Sequence, residues 1–336
     1  MIDQPLPHHR LIAVPEPEDD LAMVLGNPRK FTSREVSDAV GIPMYRARRY
    51  WRALGFANVP DGAAEFTHSD IDALSTLVGL VRDGILSESQ CLAMARVLGR
   101  TTARLSFSHT EDMVKILDAG GASGAERRTA AVRLAERIVP DIDRLLQYGW
   151  RRHLVVAVQR LQPHVGTEGP FTATIGFADL VSFTRLSRQM SDRALESLVG
   201  RFESRASDLV TSHGGRVIKS LGDEVLFVAD DPKTGAAIAL DIAALIQRTH
   251  QPGVRIGVES GPVIAYAGDV FGDTVNLASR LTSMAEPNGI LVGPALADAL
   301  AGDGDFELRP ITPVKVRGYG VVVPATLSRT GTPRHS

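Results

Sequence analysis

The stretch RVIKSLGDEVLFVAD, residues 216–230, decides the fold of the C-terminal half of the chain. Two apolar runs flank a tight turn at Gly222, so it reads as two paired strands. Ahead of it, SDRALESLVGRFESRASDLVTSHGG (191–215) sets Leu195, Leu198, Val199, Phe202, Ala206 and Leu209 on one helical stripe. FTATIGFADLV (171–181) reads as a strand. Beyond the hairpin, Asp231 with Pro232 caps a helix running to about Thr249, VRIGVESGPVIAYAG (254–268) gives further strands, and DTVNLASRLTSMA (273–285) another helix. The order β, α, β, β, α, β is that of the ferredoxin-like split unit and predicts an α/β sandwich.

Upstream, the Gly/Pro loop QPHVGTEGP (162–170) marks a boundary, and the punctuation before it is that of helices. Thr32 with Glu35 and Ser87 with Gln90 form capping boxes, Pro43 suits a first helical position, and Gly55 and Gly99 read as stops. Apolar residues at Ala131, Leu134, Ile138, Ile142, Leu145 and Leu146, then Trp150 and Leu154, predict a helical connector interrupted near Pro140. Pro5, Pro7, Pro15 and Pro17 make residues 1–20 a flexible arm. The expected layout is an arm at 1–20, an all-α domain at 21–140, a linker helix and loop at 141–166, and the α/β domain at 167–330.

Composition agrees with this division. A length of 336 residues corresponds to about two domains at roughly 150 residues each. Hydrophobic residues at 44% and charged residues at 23% exclude a disordered or fibrous chain, and a net charge of −2 argues against a globally basic nucleic-acid or membrane-surface binder. The single Cys91 rules out an internal disulfide or a multi-cysteine metal site. No apolar run approaches about 18 residues and the start MIDQPLPHHR lacks a signal-peptide layout, so a cytoplasmic protein is expected.

The chemistry begins with two carboxylates. Asp179 closes the run TIGFADL and Asp223 sits in SLGDEVLF, a strand end and a hairpin turn that can meet in space. Together they make a site for two hard divalent cations such as Mg²⁺, which bridge substrate phosphates; singly, each would satisfy local turn hydrogen bonds. The strings GFADLVSFTRL (176–186), IKSLGDEVLF (218–227) and GDVFGDTVNLASRL (268–281) resemble, in order, the three motif blocks of the class III nucleotidyl cyclases. The resemblance implies that Asp179, Asp223 and Leu180 form the site for Mg²⁺ or Mn²⁺, two ions per active site. It further implies that Lys219 and Asp269 read the base, that Asn276 and Arg280 hold the ribose and the transition state, and that Phe183, Thr184 and Arg317 bind substrate. Arg317, in PVKVRGYG (313–320), stands where a phosphate-binding lysine is usual, and Lys315 is the alternative.

A lysine donor and an aspartate acceptor complement the ring nitrogen and amino group of adenine, so ATP is expected over GTP. The implied reaction is in-line attack of the ribose 3′-hydroxyl on the α-phosphorus, giving 3′,5′-cyclic AMP and pyrophosphate, a step served by positioning and electrostatics. In this family such sites are shared across a homodimer. The short path from Tyr266 to Asp269 departs from members with a longer arm there.

In the first half, FTSREVSDAVGIPMYRARRYWRALGF (31–56) has a turn at Gly41 and a helix bearing Arg46, Arg48, Arg49 and Arg52, and resembles a MerR-like helix-turn-helix. It reads either as a basic recognition helix on DNA or as a packing module. Residues 20–160 also resemble the regulatory domain of mycobacterial-type soluble adenylate cyclases, some of which respond to pH. That favours the packing reading, without DNA as a partner. The expected fold is thus an all-α regulatory domain joined by a helical linker to a ferredoxin-like cyclase domain. The regulatory half would restrain the catalytic dimer through residues 141–161 in response to a small effector or a proton, with His68, His109, His153 and His164 titrating in the useful range. Rival readings are a silent cyclase-like dimerisation module and a small-ligand sensor. The full set Asp179, Lys219, Asp223, Asp269, Asn276 and Arg280 argues against silence.

Overall fold

The computed structural model describes residues 22–121, 123–161, 171–248 and 252–331. The arm at 1–20, the loop at 162–170 and with it His164 lie outside the described residues. The chain forms two compact units divided between Val165 and Gly166.

The first unit is helical: α1 (Ala22–Leu25), α2 (Ser33–Val40), α3 (Met44–Ala53), α4 (His68–Arg82), α5 (Glu88–Ala119) and α6 (Gly124–Leu161). Both predicted capping boxes form, with Glu35 N–H donating to Thr32 Oγ1 at 3.3 Å and the Glu35 carboxylate accepting from Thr32 N–H at 2.8 Å, and likewise Ser87 with Gln90. Val36, Tyr50, Leu74, Cys91 and Ala95 build the core, where Trp51 stacks on Phe66 at 4.5 Å.

Three expectations need correction. Gly99 does not stop a helix; α5 runs through it, because a Cβ there would lie 2.3 Å from the carbonyl oxygen of Leu54, so glycine serves a close crossing. Pro43 is the N-cap of α3 and not its first helical residue. Pro140 lies inside α6, which continues without interruption from Gly124 to Leu161; a proline removes one ladder hydrogen bond and leaves the flanking turns to carry the helix.

The arginines of α3 are engaged within their own unit. Arg46 and Arg49 pair with Glu88 at 3.4 and 3.3 Å, Arg48 pairs with Asp61, and Arg52 Nε donates to the Arg48 carbonyl at 3.2 Å.

The second unit starts with β1 (Phe171–Leu180), α7 (Phe183–Ser187), α8 (Asp192–Ser212), β2 (Arg216–Leu221), β3 (Glu224–Ala229), α9 (Pro232–Arg248) and β4 (Val254–Tyr266). There follow β5 (Asp269–Phe271), α10 (Asp273–Met284), β6 (Ile290–Val292), α11 (Pro294–Leu300), β7 (Phe306–Pro310), β8 (Val314–Val316), β9 (Gly320–Val322) and β10 (Ala325–Arg329). The main sheet has the order β2-β3-β1-β4-β6-β10-β7, with β5 on β4 and a separate β8–β9 hairpin. Its first four strands, β2-β3-β1-β4, are the antiparallel ferredoxin-like core that the sequence pattern predicts.

Alternation along β1 separates the two faces of this sheet. Ala178 and Leu180 join the core beneath α8 and α9, whereas Ile175 and Phe177 join Val275 and Ala278 of α10. Asp179 shares the parity of Ile175 and Phe177 and therefore stands on the α10 face.

The contact of α10 with the sheet depends on Gly257 of β4, where a Cβ would lie 2.2 Å from Thr282 N and 2.4 Å from the Ala278 carbonyl oxygen. Backbone, unlike a side-chain tip, cannot swing away. Gly257→Ala should destabilise this unit by about 3 kcal/mol, the upper end for overpacking, and lower the melting temperature by roughly 6–12 °C. An unchanged melting curve would contradict the crossing.

Candidate active site

Most of the predicted residues fall into an acidic cluster, an ion pair and a row along α10, while the Phe183 and Leu180 side chains turn into the core on the α8 and α9 face. In the acidic cluster, Asp179 ends β1 opposite Glu224 of β3 and Arg255 of β4. Asp223 fills the β2–β3 turn beside Gly222, whose φ is 63°, and its carbonyl accepts from Leu180 N–H at 3.0 Å, tying the turn to the strand end. The Asp179 and Asp223 carboxyls are in contact. Burial, the Asp223 charge and the hydrogen bond between them raise the Asp179 pKa from its ordinary 3.8 to about 7, helped by Glu224 and opposed by Arg255. Glu224 is also raised, first by burial and then by Asp223, against the pull of Lys219. Two carboxylates whose joint ionisation is unfavourable form a place where a hard cation relieves the repulsion.

Among the described residues no group of three or more His, Cys, Asp or Glu side chains gathers to hold a metal. Leu180 is 1% exposed, its side chain turned into the core, so only its backbone carbonyl is available to a cation.

Arg255 was not singled out from sequence. It lies directly across the ladder from Asp179, and its Nε is buried without a hydrogen-bond partner. The signal was available in hindsight: one guanidinium in the otherwise apolar run VRIGV, at the register of a strand-end aspartate.

Beside the acids, α7 begins at Phe183 after Ser182, which holds a left-handed φ of 58°. The Phe183 ring packs against the core and Thr184 is exposed. As the first residues of a helix, their N–H groups precede any intrahelical acceptor.

Lys219 and Asp269, expected to read the base, meet in an ion pair. A bulge in β2 places Lys219 opposite Leu226, and Lys219 Nζ donates to Asp269 Oδ2 at 2.6 Å, with both side chains about one-third exposed. Asp269 Oδ1 accepts from Val270 N–H at 2.8 Å, which fixes the carboxylate on β5. Lys219 retains further ammonium hydrogens for an acceptor.

Along α10, Asn276 and Arg280, four residues apart, share one exposed face. Facing the start of that helix is the β8–β9 hairpin, with Lys315 and Arg317 exposed and Tyr319 half-buried. Tyr319, also unforeseen from sequence, donates through its hydroxyl to the Asp273 carbonyl at 2.9 Å. Asp223, Glu224 and Arg255 are the charges that act on Asp179, while Arg280 acts on Tyr319.

The sequence profile of the adenylate and guanylate cyclase catalytic domain matches residues 168–328, and that of the adenylate cyclase regulatory domain matches residues 19–155. Fold and site define a cyclase catalytic domain behind a helical regulatory domain, and the helix-turn-helix-like segment lies inside the regulatory match. The chain is similar to an adenylate cyclase of Glutamicibacter nicotianae, 38% identical over 323 residues, 91% of this chain and 80% of the relative. It is similar to an adenylate cyclase of Streptomyces coelicolor, 37% identical over 346 residues, 93% and 91% of the two chains. It also resembles the pH-sensitive adenylate cyclase of Mycobacterium tuberculosis, 31% identical over 300 residues, 85% and 75%. The chain belongs to the adenylate cyclases. Among its described residues no helix is long and apolar enough to cross a membrane.

Proposed function

We propose that the chain converts ATP to 3′,5′-cyclic AMP and pyrophosphate, with the Lys219–Asp269 pair selecting adenine and the Asp179–Asp223 pair holding two Mg²⁺ or Mn²⁺ ions. The observation that carries this reading is the acidic pair itself, two adjoining carboxyls beside the half-buried Arg255, whose Nε has no hydrogen-bond partner. Bound divalent cations would supply charge neutralisation of the triphosphate and acidify the 3′-hydroxyl. Asn276 orients the ribose so that its 3′-oxygen lies in line with the leaving pyrophosphate, and the Arg280 fork meets charge developing on the α-phosphate. Arg255, the first N–H groups of α7, and Arg317 or Lys315 bind the outer phosphates.

Each chain holds the acidic cluster and the α10 cluster, and two copies paired head to tail bring the acids of one to the α10 residues of the other. A stripe on α6 supports a homodimer: Leu146, Trp150, Leu154 and Val158 recur at helical spacing and are all exposed. The helical unit regulates this dimer through α6, with a proton or small effector as input.

ATP and GTP should be compared with Mn²⁺ on the full chain and on Lys219→Glu. Guanine offers a carbonyl where adenine has an amino group and adds N–H donors, so the wild-type chain should prefer ATP by about 10²-fold, and Lys219→Glu should lose most of that preference. Equal use of both nucleotides, or an unchanged ratio in the variant, would remove Lys219 from base selection. No cyclic nucleotide from either would overturn the reading.

A further inference from the structure

The β8–β9 hairpin contains one side chain that the catalytic assignment does not use. Tyr319 sits at its turn, where Tyr319 N–H donates to the Val316 carbonyl at 3.0 Å. Its ring packs on the small core formed by Leu277, Leu281, Val316 and Val322. Its hydroxyl then reaches the first residue of α10, donating to the Asp273 carbonyl at 2.9 Å with Asp273 Oδ1 at 3.4 Å.

That end of α10 is held from two sides. Gly272, its N-cap, provides no side-chain cap, and Thr274 Oγ1 on the opposite side donates to the Pro262 carbonyl at 2.8 Å. Thr274 ties the first turn to β4; Tyr319 ties it to the hairpin. Residues 273, 276 and 280 lie on one helical face, so the phenol stands at the head of the row formed by Asn276 and Arg280. Both of those side chains are exposed, so their aim depends on how the first turn is held, by buried Thr274 and Val275 on the sheet side and by Tyr319 on the hairpin side.

We propose that Tyr319 is a positioning residue for cyclisation: its hydroxyl locks the first turn of α10 and thereby aims Asn276 and Arg280 at the ribose and α-phosphate. The proposal rests on the cyclase reading above. The electrostatics agree with a donor role. Burial raises the Tyr319 pKa above its ordinary 10.0, with Asp273 adding to the rise and the Asn276 amide and Arg280 guanidinium opposing it. The phenol therefore keeps its proton at neutral pH. Tyr319 is also two residues from Arg317, so one hairpin would fix both a phosphate contact and the transition-state helix.

The test is Tyr319→Phe in the full chain, which removes only the oxygen. The turnover number for cyclic AMP formation should fall about tenfold while KM for ATP stays within about twofold, because aim and not binding is lost. The melting temperature should fall by no more than about 5 °C, since one hydrogen bond is lost and the ring and its packing remain. In an Arg280→Ala background the same substitution should cost clearly less than the tenfold seen in wild type, because one of the two groups being aimed is gone. Wild-type turnover in Tyr319→Phe, a larger fall in melting temperature joined by a fall in affinity, or a full tenfold loss in the Arg280→Ala background would each overturn the proposal. A wild-type chain that makes no cyclic AMP would overturn the cyclase reading and this inference with it. Activity in both chains at equal rates would sink Tyr319 alone.

Discussion

Asp223→Ala should lower cyclic AMP formation on the order of 10³-fold, the upper end for removal of one transition-state stabiliser, while Asp179→Asn should make the cation-free protein more stable than wild type. Both outcomes come from one geometry. Burial and, after it, the Asp223 carboxylate hold the Asp179 carboxyl up to about 7 against an ordinary 3.8. Between those values the unfolded chain has lost the proton that the folded chain keeps, so stability falls as pH rises from about 4 to 7 and is flat beyond. Asparagine escapes that loss. Asp179→Asn should therefore gain about 1–2 kcal/mol at pH 8 after allowance for solvent screening, and the gain should shrink towards pH 4. Added Mn²⁺ should raise the melting temperature of wild type and leave Asp179→Asn and Asp223→Ala nearly unmoved. A variant equally stabilised by Mn²⁺, or wild-type activity in Asp223→Ala, would show that the acids are structural.

The readable parts of the sequence were those set by local rules. The Gly222 hairpin, the amphipathic α8 and the Asp231 cap each depend on near neighbours, and their order sufficed for the ferredoxin-like core. Thr32 and Ser87 announced helix starts because a capping box needs nothing distant. What escaped notice depended on crossings between elements far apart in the chain. Gly99 looked like a stop because its reason, the Leu54 carbonyl in the path of a Cβ, comes from another helix. Arg255 and Tyr319 were missed for the same cause: each matters through one residue opposite it, Asp179 across a ladder and Asp273 at a helix start. Pro140 shows the converse, a local breaker that a long helix absorbs.

Mixing two dead chains should restore activity. Arg280→Ala alone is expected to lower turnover about 10²–10³-fold with little change in KM, since its guanidinium acts on charge that appears only in the transition state. Asp223→Ala is equally inactive, for a different reason. If a site draws the acids from one copy and Arg280 from the other, a heterodimer of the two variants has one site with both defects and one with neither. Random pairing makes about half the dimers mixed, so equal amounts should give about a quarter of wild-type activity per chain in a two-fold symmetric dimer. Recovery should appear with the kinetics of subunit exchange and saturate. If each chain instead closed its own site, every site in the mixture would keep one defect and the activity would equal the sum of the separate variants. The acidic pair stands on β1 and the β2–β3 turn and Arg280 on α10, so a head-to-tail pair of chains would let the acids of one copy meet Arg280 of the other, and recovery is the expected result.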